Sequence, residues 1–333
     1  MLISPLDFEK PIAELDDLIA ELRRIDSNAG AHADALVRGI DLEAEIAKVE
    51  AQKQELMRNM FSHLSPWNEV QMARHPQRPY TLDYIRLLCD DFMELHGDRT
   101  NADDPAIVGG LATLAGEPVV VLGHQKGRDL KERQLRNFGS ARPSGFRKAL
   151  RLMKLAEKFK RPLIVFVDTP AAEANLMAEE EGISRTIAVC LREMVMLQTP
   201  IIVSIVGEGG SGGALGIAVG DRILMLEHSV YSVIPPEGCA AILWNDRNRA
   251  PEAAEALKVT AHSARQFGLV DEVLEEPLGG AHRDPAATAA TLKTAILCHL
   301  AALSALSPEA LLEARYNKFR QMGRWEEDLL VLE

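Results

Sequence analysis

Gly207-Glu208-Gly209-Gly210-Ser211-Gly212-Gly213-Ala214 follows directly on the apolar run Pro200-Ile201-Ile202-Val203-Ser204-Ile205-Val206. Five glycines in seven positions leave main-chain N–H groups without side-chain cover, so backbone here approaches another group closely. Three chemistries fit this spacing. Gly207, Gly209 and Gly212 satisfy a dinucleotide fingerprint; Gly209, Ser211 and Gly213 satisfy a nucleophile elbow; Gly212 with Gly213 can present two N–H groups as an oxyanion hole.

The dinucleotide reading has an acid, Glu227, about twenty residues past the first glycine, where a ribose-binding carboxylate belongs. Against it, only about eight residues separate Gly212 from the Gly220-Asp221 turn, fewer than the dozen that a parallel crossover normally takes. The elbow reading has Ser211 between strand and helix, with Asp221, Asp246, Asp271, His262 and His282 downstream. A chain of this size offers such residues by chance, and a serine between glycines also serves simply to start a helix. The third reading asks only for backbone. A strand delivers Gly212 and Gly213 to a helix N-terminus, where free N–H groups and the helix dipole favour a developing oxyanion. It suits chemistry in which a thioester enolate or a ureido oxygen carries the charge.

The elements that must hold this segment read as an α/β pattern. Helical periodicity from Asp7 to about Arg24 and from Asp41 to about Met60 predicts paired helices, with Ser27 to Gly30 as a breaker between them and Arg74 to Pro79 as a proline-bounded linker. Residues 1–79 therefore form a helical arm, 80–284 a catalytic core and 285–333 a helical segment broken at Ser307-Pro308. Within the core, Ile107 to Leu114 and Pro118 to Leu122 read as a hairpin, and Pro162 to Val167 as a strand ending at Asp168-Thr169-Pro170. A helix is expected from about Glu180 to Leu197, and further strands at Arg222 to Leu226, Tyr231 to Ile234 and Gly268 to Val273.

The chain has 333 residues, 47% hydrophobic and 5% aromatic, enough for a large aliphatic core. Residues Met1 to Lys10 carry no signal-peptide pattern and no run reaches 18 apolar residues, so a cytoplasmic protein without a membrane partner is expected. Cys89, Cys190, Cys239 and Cys298 are too far apart for a paired-cysteine zinc site, and no metal is expected here. The formal charge of −12 argues against nucleic acid, although Lys126 to Arg161 carries thirteen Lys and Arg against three acids. Arg147, Arg151, Lys154 and Lys158 make a helical stripe, either a solvated face or a surface for a phosphate-bearing ligand or acidic partner. His96, His124, His228 and His282 read as satisfied core or loop histidines, Glu237-Gly238 as a turn.

The glycine segment does not stand alone. Gly123-His-Gln-Lys-Gly-Arg128, Arg136-Asn-Phe-Gly139, Pro143 to Met153, Tyr231 to Ile234, Pro236 to Ala240, Ile242-Leu-Trp244, Glu276 to Arg283 and Leu6 to Leu15 accompany it in order. With them, the chain resembles the alpha subunits of bacterial acetyl-CoA carboxylase carboxyltransferase. The resemblance implies a crotonase-like α/β fold, a spiral of ββα units with an N-terminal helical arm and C-terminal helices. It implies transfer of carboxylate from carboxybiotin to acetyl-CoA, giving malonyl-CoA for fatty acid synthesis. Biotin arrives on the biotin carboxyl carrier protein, biotin carboxylase runs the ATP-dependent step, and no cofactor is bound tightly. The partner is a beta subunit carrying a zinc ribbon, in an α2β2 heterotetramer.

Carried onto this sequence, Gly212 and Gly213 would hold the biotin-side oxyanion, with Gly209 and Gly210 beside the substrate. From charge alone, Lys126, Arg128, Arg142 and Arg147 belong near the carboxylate or the CoA phosphates, or make structural or subunit contacts. One loop departs. Where the family continues Gly-Ala-Tyr-Pro-Gly after Pro170, this chain has Ala171-Ala172-Glu173-Ala174-Asn175. Loss of glycine threatens any left-handed backbone there, and Glu173 beside a carboxylate substrate would repel it by on the order of 1 to 4 kcal/mol at contact. The alternative that this loop raises is a non-catalytic or repurposed paralogue that assembles with a beta subunit and binds or regulates.

Overall fold

A computed structural model describes residues 5–29 and 41–323. Its N-terminal part is helical: a 3₁₀ turn at Asp7–Glu9, then α1 (Lys10–Ala29), α2 (Leu42–Phe61), α3 (Pro66–Ala73) and α4 (Thr81–Leu88). The starts are written in the sequence. Asp41 and Ser65 accept first-turn N–H groups of α2 and α3, and Pro66 sits where a helix needs no donor. Contrary to the breaker expected there, α1 continues through Ser27 to Ala29; Gly30 lies outside the described residues.

Beyond α4 comes an eight-stranded sheet of β1 (Asp90–Glu94), β2 (Ile107–Leu114), β3 (Glu117–His124), β4 (Leu163–Thr169), β5 (Ile201–Gly210), β6 (Arg222–Leu226), β7 (Val230–Ser232) and β8 (Glu272–Leu274). Interleaved are α5 (Leu130–Leu135), α6 (Pro143–Lys158), α7 (Leu176–Glu180), α8 (Ile183–Met196), α9 (Ser211–Leu215), α10 (Pro236–Trp244), α11 (Ala250–Leu257) and α12 (Ala261–Gln266), with α13 (Pro285–Ser304) and α14 (Pro308–Arg320) at the end. The strand order is β1-β2-β3-β4-β5-β6-β8, with β7 on the far half of β5. Pairs β1/β2 and β2/β3 are antiparallel, the expected hairpin and an unforeseen edge strand; the remainder are parallel.

Both faces of the sheet are covered, so β4 and β5 are buried along their whole length. Val120, Leu122, Val165 and Val203 pack with Phe146 and Leu152 of α6 and Cys190 of α8. On the other face Val121, Ile164, Phe166 and Ile202 pack against Tyr84 of α4 and Leu292 and Ile296 of α13. Helix α13 is long and apolar enough to span a membrane by composition, yet here it is a core helix, with Leu292, Ile296, Leu300 and Leu303 buried.

Several local expectations change. The helix expected from about Glu180 to Leu197 is α8, starting at Ile183 after Gly182 at φ 79°, and an unforeseen short helix, α7, precedes it. Residues 236–244 are helix α10, because Pro236 occupies its first turn, where proline's fixed φ and missing N–H favour a helix. The strand at 231–234 is Val230–Ser232, and the last strand is only Glu272–Leu274. Most telling, β5 and β6 are parallel although only residues 211–221 join them. A one-and-a-half-turn helix followed by irregular chain makes that return, so the shortness of this crossover does not argue against parallel pairing.

Helix α14 is tied to the start of β5 by one guanidinium. Buried Arg315 donates to both carboxylate oxygens of Asp221, each at 2.8 Å, and to the carbonyls of Met194, Leu197 and Thr199. Asp221 in turn accepts the Ile201 N–H at 2.7 Å. Arg315→Leu leaves the buried Asp221 carboxylate without its cation. It is expected to lower unfolding stability by about 3 to 5 kcal/mol, read from the urea midpoint, and an unchanged midpoint would show that the latch is dispensable.

Candidate active site

The glycine segment sits at the end of β5. Gly209 and Gly210 pair with Tyr231 and Ser232 of β7, and then Ser211, at φ 52°, turns the chain into α9. That left-handed residue is the strained corner that swings the N–H groups of Gly212 and Gly213 out of the sheet. Neither N–H has an acceptor among the described residues. Close approach explains the glycines. A Cβ on Gly210 would lie 1.9 Å from the Pro170 carbonyl oxygen, and one on Gly213 would lie 2.4 Å from the Ala171–Ala172 peptide. Gly212 is different, since its Cβ would meet only Ile187, at 3.6 Å.

Beneath the turn, three strands leave the sheet side by side with charged groups. Lys126, two residues past β3, donates to Asp168 of β4 at 2.8 Å and to Glu208 of β5 at 2.7 Å. The Asp168 carboxylate also accepts the Glu208 N–H at 2.9 Å. Arg74, at the end of α3, reaches Glu208 at 2.6 Å and Glu237 of α10 at 2.5 Å. Glu237 is therefore a helix-start residue within this network rather than part of a free turn. A cavity of about 210 Å³ opens over the group, walled by Arg74, Tyr80, Lys126, Arg133, Phe138 and Pro170 among others. A larger cavity, about 750 Å³, lies away from the turn, between residues 160–162, 198–200 and helices α13 and α14.

The charges in the network do not share its benefit equally. Burial works against Glu208's charge, but Lys126 and Arg74 outweigh it and hold the carboxyl at about 2. Burial likewise opposes the Lys126 charge, and the two carboxylates override it, raising the ammonium above its usual range. For Asp168 burial wins and its carboxyl is raised despite Lys126.

The other expected cations also have partners inside the chain. Arg128 stacks over Tyr80, 4.6 Å from the ring centroid, and pairs with Asp83. Arg142 reaches Glu173 at 3.1 Å, and Arg147 reaches Asp98 at 2.7 Å. Arg151 and Lys148 bind the same 95–104 loop, and Lys154 pairs with Glu193 of α8 at 2.8 Å. Most of the basic stripe is thus a clamp on the chain's own loop and helix. The divergent loop is equally well accommodated. None of residues 171–175 has a positive φ, so glycine is not demanded there. The Glu173 carboxylate accepts from Arg142 and, at 3.0 Å, from Asn175, so its charge is answered locally.

Two histidines depart from the satisfied state expected of them. His124 is fully buried and His282 nearly so, and neither ring nitrogen of either finds a hydrogen-bond partner among the described residues. His282 stacks on His75, ring centroids 3.8 Å apart, close to the buried Glu9 carboxylate, so that three possible metal ligands converge. Glu9 already accepts from Arg283 and from the Leu6 N–H, and with that cation beside it the cluster reads as a lock between the first turn and the core. Sequence reasoning did not reach Asp168, Glu208, Arg74 or the place of His124. The available signal was that three successive apolar strands each end on a polar or charged side chain.

A carboxyl whose pKa is lowered by folding stabilises the native state above its unfolded value, near 4.3, and that contribution is lost as pH falls through the folded value. With Glu208 held at about 2, Glu208→Gln is expected to flatten the fall of the urea midpoint from about pH 4.3 downward, relative to the parent chain. Parallel slopes in the two proteins would show that this carboxylate adds nothing to acid stability.

Comparison with known proteins agrees with this architecture. Residues 5–323 match the family described as acetyl co-enzyme A carboxylase carboxyltransferase-like. The acetyl-coenzyme A carboxylase carboxyl transferase subunit alpha of Acaryochloris marina is 54% identical over 318 residues, 96% of this chain and 95% of that one. The subunit of the same name from Geobacter metallireducens is 54% identical over 322 residues, covering 97% and 98%. Among solved structures, a Pseudomonas malonate decarboxylase hetero-tetramer in complex with coenzyme A aligns with TM-score 0.58 at 18% identity, over 72% of this chain and 94% of that one. Transcarboxylase 12S aligns with TM-score 0.54 at 20% identity, over 66% and 41%. These neighbours share the crotonase-like α/β fold expected from the motifs. The chain belongs to the family of acetyl-coenzyme A carboxylase carboxyl transferase alpha subunits.

Proposed function

We propose that this chain supplies the alpha half of a carboxyltransferase site that moves carboxylate from carboxybiotin to acetyl-CoA, giving malonyl-CoA. The observation that carries the reading is the pair of uncommitted N–H groups at Gly212 and Gly213, aimed out of the sheet by the Ser211 corner. As carboxybiotin releases carbon dioxide, its ureido oxygen gains negative charge, and two preorganised donors stabilise it more than they stabilise the neutral ground state. The ureido anion then takes a proton from the acetyl methyl group. The resulting enolate attacks carbon dioxide, so no side-chain base is required. Gly209 and Gly210 act by holding the turn against β7 and Pro170. For Lys126, Arg128, Arg142 and Arg147 the internal ion pairs favour the structural alternative over direct contact with substrate.

The half-site is finished by a second chain in this reading. Large apolar side chains stand exposed on α7, α9, α10 and just past β7: Leu176, Met177, Leu215, Val233, Ile242 and Leu243. A surface of that kind around a polar turn suits a permanent partner, here the beta subunit of an α2β2 assembly with its zinc ribbon and the second oxyanion hole. The biotin carboxyl carrier protein and biotin carboxylase complete the system in the cytoplasm, and this chain binds no cofactor tightly. The repurposed-paralogue reading loses its main support, because Glu173 is paired and its loop needs no glycine.

Reconstitution with a beta subunit and carboxylated carrier tests the proposal by malonyl-CoA formation. Gly213→Ala, which displaces the turn against Ala171–Ala172, is expected to lower kcat by about 10²- to 10³-fold. Ser211→Ala is expected to stay within about tenfold of the parent, and abolished turnover would instead favour an elbow nucleophile. Normal assembly with no turnover by the parent chain would overturn the function itself. Arg142→Met should free the Glu173 charge and raise KM for the carboxylated carrier about two- to fivefold, the size of an exposed pair. Adding Glu173→Gln should reverse that rise, and an unreversed rise would place Arg142 against the substrate.

A further inference from the structure

His124 is the buried group that the reaction above leaves unexplained. It is the last residue of β3, and alternation along that strand puts it on the face of Val120 and Leu122, which is covered by α6 and α8. Every other inward position on that side of β3 is aliphatic. The main chain of His124 is fixed, since its carbonyl accepts from Thr81 and its Cα pairs with Ile107 of β2. Its ring is wholly buried with neither nitrogen hydrogen-bonded. An orphaned imidazole in a core costs more than an aliphatic side chain of the same size, so its retention calls for a partner.

One partner lies at hand. The Gly213 backbone is close enough to favour the ring's protonated form, although burial first and the Lys126 charge second dominate and lower its pKa to about 3. In α9 the ladder passes over the Gly213 carbonyl: Gly216 N–H bonds to Gly212 and Ile217 N–H bonds to Ala214. An unpartnered ring and a skipped acceptor therefore lie near each other beneath α9. A neutral imidazole protonated on one nitrogen fits such a carbonyl and brings no charge to a site that must host an anion.

We propose that His124 is a positioning residue, whose neutral imidazole N–H engages the Gly213 carbonyl as an anionic ligand seats on the turn and so holds the Gly212 and Gly213 N–H groups toward it. This deepens, and rests on, the oxyanion-hole reading. His124 touches no reacting atom. It works through the first turn of α9, on the opposite side from the ligand.

The test uses the chain assembled with its beta subunit. His124→Leu keeps the ring's bulk without a donor, and His124→Gln restores an N–H at similar reach. The leucine variant is expected to lose about 10- to 100-fold in kcat with KM for acetyl-CoA within about twofold, and the glutamine variant to recover most of the loss. The pH profile of kcat should keep its shape in both, because the ring is neutral throughout the working range. Parent-like kcat in the leucine variant overturns the proposal while leaving the oxyanion hole standing; a lost acid limb that glutamine does not rescue overturns it in favour of a histidine base. Should the variants fail to assemble, ¹⁵N signals of the His124 ring in the parent complex decide. One protonated nitrogen with a hydrogen-bond shift on adding a non-reactive biotin analogue supports it, and no change on adding the analogue overturns it.

Discussion

Two carboxylates and one ammonium packed where three strands leave the sheet set the conditions for everything around the glycine turn. Taking such ions out of water costs several kcal/mol each, and only their mutual contacts offset it. Lys126 must lie between Asp168 and Glu208, so the exits of β3, β4 and β5 are fixed relative to one another. Arg74 extends the constraint to α3 and, through Glu237, to α10. Five segments far apart in sequence thus meet at one electrostatic knot. Glu208 faces both Lys126 and Arg74 and its carboxyl is held low, whereas for Asp168 burial outweighs the Lys126 charge and its carboxyl is raised.

The knot explains why glycines are required on β5 and dispensable on the facing loop. With Asp168 held in place, Pro170 is pressed onto the end of β5 at Gly210 and the Ala171–Ala172 peptide onto the start of α9 at Gly213, where a Cβ has no room. The loop itself runs through ordinary backbone angles, so its alanines cost nothing in strain. What the loop contributes is main chain at a fixed height. Its side chains answer one another, as the Glu173 contacts with Arg142 and Asn175 show. A change of loop sequence is tolerated here because the position comes from strand β4 and the charge is balanced within the loop's own surroundings.

The parallel core was legible in the sequence because buried strands covered on both faces read as unbroken apolar runs, as Ile201 to Val206 does. Helix starts were legible where a cap or a single proline marks them, and obscured where prolines fit a turn equally well, as at Pro235-Pro236. Short strands such as β1 and β8 carry too few residues to show a period. The glycine turn could be placed between a strand and a helix from spacing, yet its supports could not. Which carboxylate meets Lys126 depends on strand register and crossover, neither of which has a local signature. The stripe on α6 shows the same limit, since a cation facing water and one facing a buried loop aspartate have identical spacing.

Charge accounting finally bears on how the site is completed. In the proposed reading an oxyanion at Gly212 and Gly213 would be met by backbone dipoles alone, which lose little on reorganisation because the turn is already bent. The phosphates of an acyl thioester carrier need full positive charges, and Lys126, Arg128, Arg142 and Arg147 all hold carboxylates of their own chain. Recruiting Lys126 would strand the buried carboxylates of Asp168 and Glu208, at a cost comparable to the stabilisation that a phosphate pair would bring, whereas Arg128 and Arg142 are half exposed and their ion pairs are worth little. Lys126 is therefore closed to such phosphates by its own chain. The exposed apolar side chains on α7, α9 and α10 offer a second chain a surface to dock on, and in the proposed reading that partner brings the positive charge which the backbone turn lacks.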